Sequence, residues 1–348
     1  MSATNTEKHK QQSWLRRYWL VGLIVLLVLL AWWPGRSIVI SVLTDREAAR
    51  IEAITPATGA AETPHRIDAE QLMADLHWLA DAERAGRAPG TDGSRQAREY
   101  IIERFAALGL APAGSDGYMH SFSSERVESG VNVLGSIIGQ DPSLRTIVVT
   151  AHYDHLGVRG DDIYYGSDDN ASGTAALLAY AEYFSVHQPQ HTLLFAALDG
   201  EEQGLAGAYA LFNTGHLNPN DIAFNVNVDM LSRDTDQLLY AVGTYHHPWL
   251  APLVRRVQQE SGARIVMAHD RPKWRAGNTM DWTMSSDHGA FHVEGIPFMY
   301  FGVADHPDYH SPRDTSDKAD EEFFRITTET ALSFTKLIDQ VLSEKRAR

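Results

Sequence analysis

The 348 residues of this chain include no cysteine. Disulfide bonds and thiolate metal sites are therefore excluded, and any bound metal must be held by histidine, aspartate and glutamate side chains. The chain carries 16 histidines and 45 acidic residues that could serve this purpose.

Positive charge is also scarce. Only 30 lysines and arginines stand against 45 acidic residues, which gives a formal net charge of -15. A chain this acidic is not expected to bind nucleic acid, because its field repels phosphates. With 14 prolines and 44% hydrophobic residues, the composition is that of a globular protein with one large core.

A long uncharged run occupies residues 18–33, directly after Arg16 and Arg17. Its length, its aromatic ends and the preceding basic residues predict an uncleaved transmembrane signal anchor. Residues 1–17 would then be a cytoplasmic tail, and the acidic remainder would lie outside the inner or plasma membrane, in the periplasm if the source is bacterial. A cleavable signal peptide is the alternative, although bulky tryptophans stand where a cleavage site requires small residues.

The remainder divides into a juxtamembrane linker, residues 34–65, and one domain, residues 66–348. Amphipathic patterns in this domain predict helices, and short, almost continuous apolar runs predict buried strands. Alternation of the two predicts an α/β sandwich whose sheet is largely parallel. The predicted strands are 145–151, 191–198, 224–230 and 296–302, and helices are predicted near 171–185, 204–213 and 248–261.

Histidines and carboxylates follow these strands one after another. Each alone has an ordinary structural explanation, but ligands of open α/β sheets bind beyond the carboxyl ends of the strands, so the residues should converge on one crevice. Asp229 at the end of an apolar strand is particularly costly to bury without a partner. The candidate metal ligands are His152, Asp168, Glu202, Asp229 and His310.

Two imidazoles and three carboxylates exceed the needs of one four-coordinate zinc with an open position. They suit two ions that share a bridging carboxylate, for which we expect Asp168. Nitrogen and oxygen ligands without sulfur favour zinc over manganese or cobalt. Glu201 and Glu202 are consecutive, so one can bind a metal while the other reaches a water molecule beside it.

The motifs "TAHYDHLG", "GSDDNASG", "LDGEEQGLAGA", "NVDML" and "YHSPRDT" resemble, in this order, those of the di-zinc exopeptidases of peptidase family twenty-eight, such as the bacterial leucyl aminopeptidases. The resemblance covers roughly residues 67–340. It implies a three-layer sandwich in which helices flank a mixed, largely parallel central sheet. No room remains before His152 for the protease-associated domain that many relatives carry.

The resemblance also implies residue roles. His152, Asp168 and Asp229 would hold one zinc, and Asp168, Glu202 and His310 the other. Glu201 would be the general base and Asp154 the acid that orients His152. A cis peptide is implied between Asp168 and Asp169.

A zinc aminopeptidase acting on peptides with a free N-terminus is the expected function. Two alternatives are a glutaminyl-cyclase-like acyl-transfer enzyme with a single zinc and a catalytically inactive receptor-like domain. Residues 244–290 are candidates for the rim of a substrate pocket, and Asp287 and His288 for lining or supporting the site. Asp314 is expected to anchor the loop of His310 through side-chain-to-backbone hydrogen bonds.

Overall fold

The computed structural model describes residues 18–19, 21–22, 35–53, 63–277 and 279–346. Two compact units are present, Met1–Glu52 with Pro272–Met280 and Ala53–Arg271 with Asp281–Arg348. The segment Pro272–Met280, placed within the catalytic domain by the sequence, therefore belongs to the smaller unit.

The predicted membrane anchor, residues 18–33, lies mostly outside the described residues and stays a prediction. Among the helices that the structure does describe, none is both long and apolar enough to cross a bilayer. The first part of the predicted linker is helical, over residues 35–53 (α1). In this smaller unit, Gly277 packs against Thr44 and Ile40 of α1.

The larger unit alternates strands and helices. Its helices are α2 (Ala69–Leu79), α3 (Asp92–Ala107), α4 (Gly173–Val186), α5 (Ala206–Asn213), α6 (Ala251–Glu260), α8 (His288–Val293) and α9 (Glu321–Arg346), while α7 (Lys273–Ala276) lies in the smaller unit. Its strands are β1 (Ala111–Pro112), β2 (Met119–Phe122), β3 (Gly130–Ile137), β4 (Thr146–His152), β5 (Gly157–Arg159), β6 (Asp162–Tyr164), β7 (Leu193–Leu198), β8 (Ile222–Asp229), β9 (Leu238–Val242), β10 (Arg264–Val266) and β11 (Phe298–Gly302). The four strands and three helices predicted above are all confirmed, with shifts of a few residues at their ends.

The central sheet has the order β1-β3-β7-β4-β8-β11-β9-β10, and β2 pairs with β3 outside this path. Its middle is parallel, because β4 pairs in parallel with β7 and β8, and β8 with β11. Antiparallel pairing of β3 with β7 and of β9 with β11 makes the sheet mixed, as expected. The short strands β5 and β6 form a separate hairpin.

Helices cover both faces of this sheet, so its middle strands are almost completely buried. Every residue of β7, β8 and β11 is buried. Along β4, Ile147 and Val149 face a core shared with α2, α4 and α9, whereas Val148 faces a core shared with α5 and α8. The side-chain period of two thus supplies both layers from one strand.

Helix α4 carries much of the larger core, so a cavity there should be costly. Leu177→Ala is expected to lower the free energy of unfolding by about 2–5 kcal/mol, because Leu177 is fully buried. Val186→Ala on the same helix is the control, since Val186 is 76% exposed and should change stability by less than about 0.5 kcal/mol. Chemical denaturation of both variants measures the difference, and equal losses would contradict the packing described here.

Candidate metal centre and active site

The site lies at the carboxyl ends of the parallel strands. Strand β4 ends at His152 and β8 ends at Asp229, while the turn after β7 carries Glu201 and Glu202. In the register of β4 and β7, His152 lies opposite Leu198. The crevice expected at this edge of the sheet is therefore where the candidate ligands meet.

One group of donors surrounds His152. Its Nε2 atom lies 3.4 Å from Asp169 Oδ1 and 3.4 Å from Asp229 Oδ1. His152, Glu201 and Asp229 each offer one ligand atom to a group that could hold a metal ion. His152 and Asp229 are buried.

The second group lies on the other side of Asp169. His310 Nε2 is 3.0 Å from Asp169 Oδ2 and 3.2 Å from Glu202 Oε2. His155, Asp169 and Glu202 form the second set of residues that could hold a metal ion. The two oxygens of Asp169 thus face different imidazoles, as in a carboxylate that bridges two cations.

These spacings fit zinc. With zinc–ligand bonds near 2.0–2.2 Å and tetrahedral angles, neighbouring ligand atoms lie about 3.3 Å apart. The four distances from His152 and His310 fall between 3.0 and 3.4 Å. Within the described part of the chain, His152 Nε2, Asp169 Oδ2 and Asp229 Oδ1 are buried without a hydrogen-bond partner.

The structure corrects the predicted role of Asp168. Its Oδ1 atom accepts hydrogen bonds from the backbone N–H and the hydroxyl of Ser232, both at 2.7 Å. Its Oδ2 atom lies 3.3 Å from His306 Nε2, away from His152 and His310. Asp169 occupies the position between those two imidazoles instead.

The cis peptide is displaced by the same single residue. It joins Asp169 to Asn170, not Asp168 to Asp169. The loop is held from both ends, because the Asp314 carboxylate accepts the N–H groups of Asp168 and Asp169, and the Asn170 amide donates to the carbonyl of Val228. Asp314 therefore anchors the aspartate loop, whereas the sequence suggested that it anchors the loop of His310.

Asp154 lies beside His152, as its predicted role requires. His152 Nδ1 is 3.2 Å from the carbonyl oxygen of Asp154 and 3.6 Å from its carboxylate oxygen Oδ1. The same Oδ1 atom accepts the backbone N–H of Glu201 at 3.1 Å. Asp154 thus connects the strand end that carries His152 with the turn that carries Glu201.

Electrostatics distinguishes Glu201 from its neighbour. Burial raises the pKa of Glu201 well above its usual value, His152 opposes the rise, and Asp287, Asp229 and Glu202 add to it. The pKa of Glu202 is lowered, because hydrogen bonds from His155 and His310 outweigh burial and the charge of Asp169. Glu202 is therefore held as a carboxylate, whereas Glu201 is poised to accept a proton.

The two imidazoles that face Asp169 both have raised pKa values. Burial would lower the pKa of His152, but Asp229 and Glu201 raise it well above its usual value. Burial likewise opposes the rise for His310, whose pKa reaches about 10 through Asp169 and Glu202. The carboxylates thus create a strongly negative site that favours bound cations.

Sequence reasoning missed His155 and left Asp287 undecided. His155 is fully buried, with Nδ1 at 2.7 Å from Glu202 Oε1, the oxygen next to the one that faces His310. Asp287 is also fully buried, and neither of its carboxylate oxygens has a hydrogen-bond partner among the described residues. Burial raises its pKa to about 8, His152 opposes this, and Asp154 and Asp229 add to it.

His288 is fully buried among aromatic side chains, directly after Asp287 in the chain. Its Nε2 atom lies 2.9 Å from the carbonyl oxygen of Trp282, and its ring packs on Phe298 and Tyr300. His155 could have been suspected from its position three residues after His152 in "HYDH". The sequence offers no comparable spacing that would indicate Asp287. The turn before α8 brings this residue close to His152 and Asp229.

Two comparisons with curated proteins cover part of the chain. A probable zinc metalloprotease of Pyrenophora teres f. teres is 32% identical over 158 residues, which are 42% of this chain and 32% of that protein. A vacuolar membrane protease of Schizophyllum commune is 31% identical over 172 residues, 46% of this chain and 18% of that protein. The chain thus spans a third or less of the length of these relatives.

Solved structures share the fold at low identity. A zinc aminopeptidase from Bacillus subtilis superposes with a TM-score of 0.62 at 15% identity, covering 80% of this chain and 96% of the other. A glutaminyl cyclase from Porphyromonas gingivalis gives the same TM-score and identity, covering 79% of this chain and all of the other.

The sequence profile of Peptidase family M28 matches residues 132–335, more than half of the chain. This range contains every candidate ligand of the crevice, from His152 to His310, and confirms the resemblance drawn from the motifs. The chain belongs to peptidase family M28.

Proposed function

We propose that this chain is a di-zinc aminopeptidase that removes N-terminal residues from peptides. The observation that carries the proposal is the Asp169 carboxylate, whose two oxygens face His152 on one side and His310 on the other. Family membership and the zinc metalloprotease name of a relative support the choice of zinc.

The donor atoms support two metal positions. His152, Asp169 and Asp229 would hold one zinc, and Asp169, Glu202 and His310 the other. Apart from Asp169, which takes the place of Asp168, these are the residues expected from the sequence. Bound zinc supplies Lewis acidity, which polarises the scissile carbonyl and acidifies water.

Glu201 supplies the proton transfer. Its raised pKa makes it a base that takes up a proton from the attacking water and holds it. The same carboxyl group then donates the proton to the departing amine, so the peptide bond breaks without releasing a strongly basic leaving group. The hydrogen bond from Glu201 N–H to Asp154 fixes the backbone of this residue relative to His152.

Unpaired carboxyl oxygens favour the N-terminus of a peptide over its C-terminus. Both carboxyl oxygens of Asp287 are buried without a hydrogen-bond partner among the described residues. An α-ammonium group can donate hydrogen bonds to such oxygens, whereas an α-carboxylate has no hydrogen to donate. The zinc aminopeptidase of the same fold is consistent with this polarity.

A glutaminyl-cyclase-like reaction on one zinc is the second candidate, because a cyclase shares the fold equally well. Retention of donors on both sides of Asp169 favours two metals and hydrolysis. The third candidate, an inactive receptor-like domain, is disfavoured because Glu201 and both groups of possible metal donors are present.

We further propose that residues 18–33 anchor the chain in a membrane, with residues 1–17 on the cytoplasmic side and the catalytic domain outside. The uncharged run after Arg16 and Arg17 supports this topology. The match to a vacuolar membrane protease supports a membrane location and carries no information on sidedness.

The shift from Asp168 to Asp169 is tested by the adjacent pair Asp169→Asn and Asp168→Asn. Asp169→Asn should lose bound zinc after dialysis, because it removes the carboxylate shared by both positions. Asp168→Asn should keep the zinc content of the wild-type protein, although it alters the bonds to Ser232. Elemental analysis measures both, and zinc loss only in Asp168→Asn would restore the prediction made from the sequence.

Glu201→Gln should keep both zinc ions and the folded structure, since Glu201 is not a proposed ligand. Turnover is expected to fall by at least about 10²-fold, because the amide cannot take up the proton. Glu103→Gln is the control, since Glu103 is exposed on α3 and should leave turnover unchanged. Wild-type turnover in Glu201→Gln would refute the assignment of the base.

Peptide polarity is tested with the zinc-loaded protein and a mixture of defined peptides, some with acetylated N-termini and one beginning with glutamine. Mass spectrometry should show stepwise loss of residues from free N-termini and none from acetylated ones. Loss from C-termini would reverse the proposed polarity. Loss of ammonia from the glutamine peptide alone would replace hydrolysis by cyclisation.

A further inference from the structure

Arg87 is one of the largest side chains that are fully buried among the described residues. It ends the short 3₁₀ segment Ala82–Arg87 with a φ of 52°. Burial lowers the pKa of its guanidinium to about 10, while Asp154, Asp169, Asp314 and Glu202 oppose the fall. Arg87 therefore remains a cation at neutral pH, beside the acidic centre.

Each hydrogen bond of this guanidinium goes to a backbone carbonyl. Nε donates to Tyr153 at 2.7 Å and Nη2 donates to Gly166 at 2.8 Å. Nη1 donates to Leu79 at 2.7 Å and to Tyr165 at 2.8 Å. Buried carbonyls need partners, so these bonds fix the surrounding backbone as well as satisfying the cation.

Three of the four bonded carbonyls belong to the backbone segments that carry the proposed ligands His152 and Asp169. Tyr153 stands between His152 and Asp154 at the end of β4. Tyr165 and Gly166 lead into the loop that carries Asp169. One rigid, planar group thus spans the two backbone segments whose side chains must bring His152 Nε2 to 3.4 Å from Asp169 Oδ1.

A close backbone approach brings Arg87 to this position. Gly86, with a φ of +67°, lies so near the β5–β6 hairpin that a Cβ atom would collide with the carbonyl oxygens of Tyr164 and Gly157. A glycine is therefore required at position 86 for the segment Ala82–Arg87 to pack closely against the β5–β6 hairpin. Its place in the chain, far before His152, explains why metal-ligand spacing in the sequence did not indicate a role for Arg87.

We propose that Arg87 is a positioning residue of the metal centre, which sets the spacing between His152 and Asp169 by holding the backbone segment that precedes Asp169 and the residue that follows His152. This inference rests on the metal centre proposed above. Outer groups that orient metal ligands typically change metal affinity by about 10–100-fold when they are replaced. Arg87 acts on the ligands through their backbone, so geometry and not charge is the property that matters.

Arg84 offers a matched control in the same segment. It is 8% exposed and donates to the carbonyl of Trp78 and the amide oxygen of Gln96. Its guanidinium lies 4.2 Å from the centre of the Trp78 ring. None of these partners belongs to the strand end of His152 or to the loop of Asp169.

The experiment compares Arg87→Lys with Arg84→Lys in the full chain, using competition with a zinc chelator and thermal unfolding. Lysine keeps the charge but lacks the planar fork that reaches separate carbonyls. Both variants are expected to lose thermal stability. Arg87→Lys should also bind zinc about 10–100-fold more weakly, whereas Arg84→Lys should keep the affinity of the wild-type protein.

Wild-type zinc affinity in folded Arg87→Lys would overturn the inference. Equal losses of zinc affinity in Arg87→Lys and Arg84→Lys would also overturn it. If Arg87→Lys does not fold, Arg87→Gln provides the comparison, because its amide can still donate to part of the carbonyl set. A wild-type chain that binds no zinc would instead refute the proposed metal centre itself.

Discussion

Carboxylates concentrated in one buried crevice impose the main constraint on this structure. Asp154, Asp169 and Asp229 are almost completely buried, and Glu201 and Glu202 lie beside them. Burying like charges together is costly unless cations neutralise them. The same excess of carboxylates raises the pKa values of the imidazoles of His152 and His310.

The fold meets this constraint by fixing the backbone that carries the carboxylates. Parallel pairing of β4 with β7 and β8 brings three strand ends to one edge, so the donors at these ends are carried by a rigid backbone. Loops then add the remaining donors, and these loops are tied by buried polar groups. Asp314 holds the aspartate loop through its N–H groups, while Arg87 holds it through its carbonyls.

The two consecutive glutamates illustrate how neighbouring residues acquire different chemistry. Hydrogen bonds from imidazoles help lower the pKa of Glu202, whereas burial and neighbouring carboxylates raise the pKa of Glu201. The aspartate pair divides in a similar way. Asp169 faces the imidazoles of the crevice, and Asp168 turns to the hydroxyl and backbone of Ser232. In both pairs the surroundings, and not the residue type, assign the role.

Strand positions, the α/β class, the family and most of the candidate ligands could be predicted from the sequence alone. Apolar runs must be buried, and the polar residues that end them must meet at one edge of a parallel sheet. Three features required the tertiary structure: the choice between Asp168 and Asp169, the presence of His155 and Asp287 at the site, and the bonds from Arg87 to the backbone around it. A sequence motif does not distinguish which of two adjacent aspartates faces the crevice. Contacts between segments that are distant in the chain produce no periodic pattern in the sequence. Only the folded backbone decides which side chain points into the crevice.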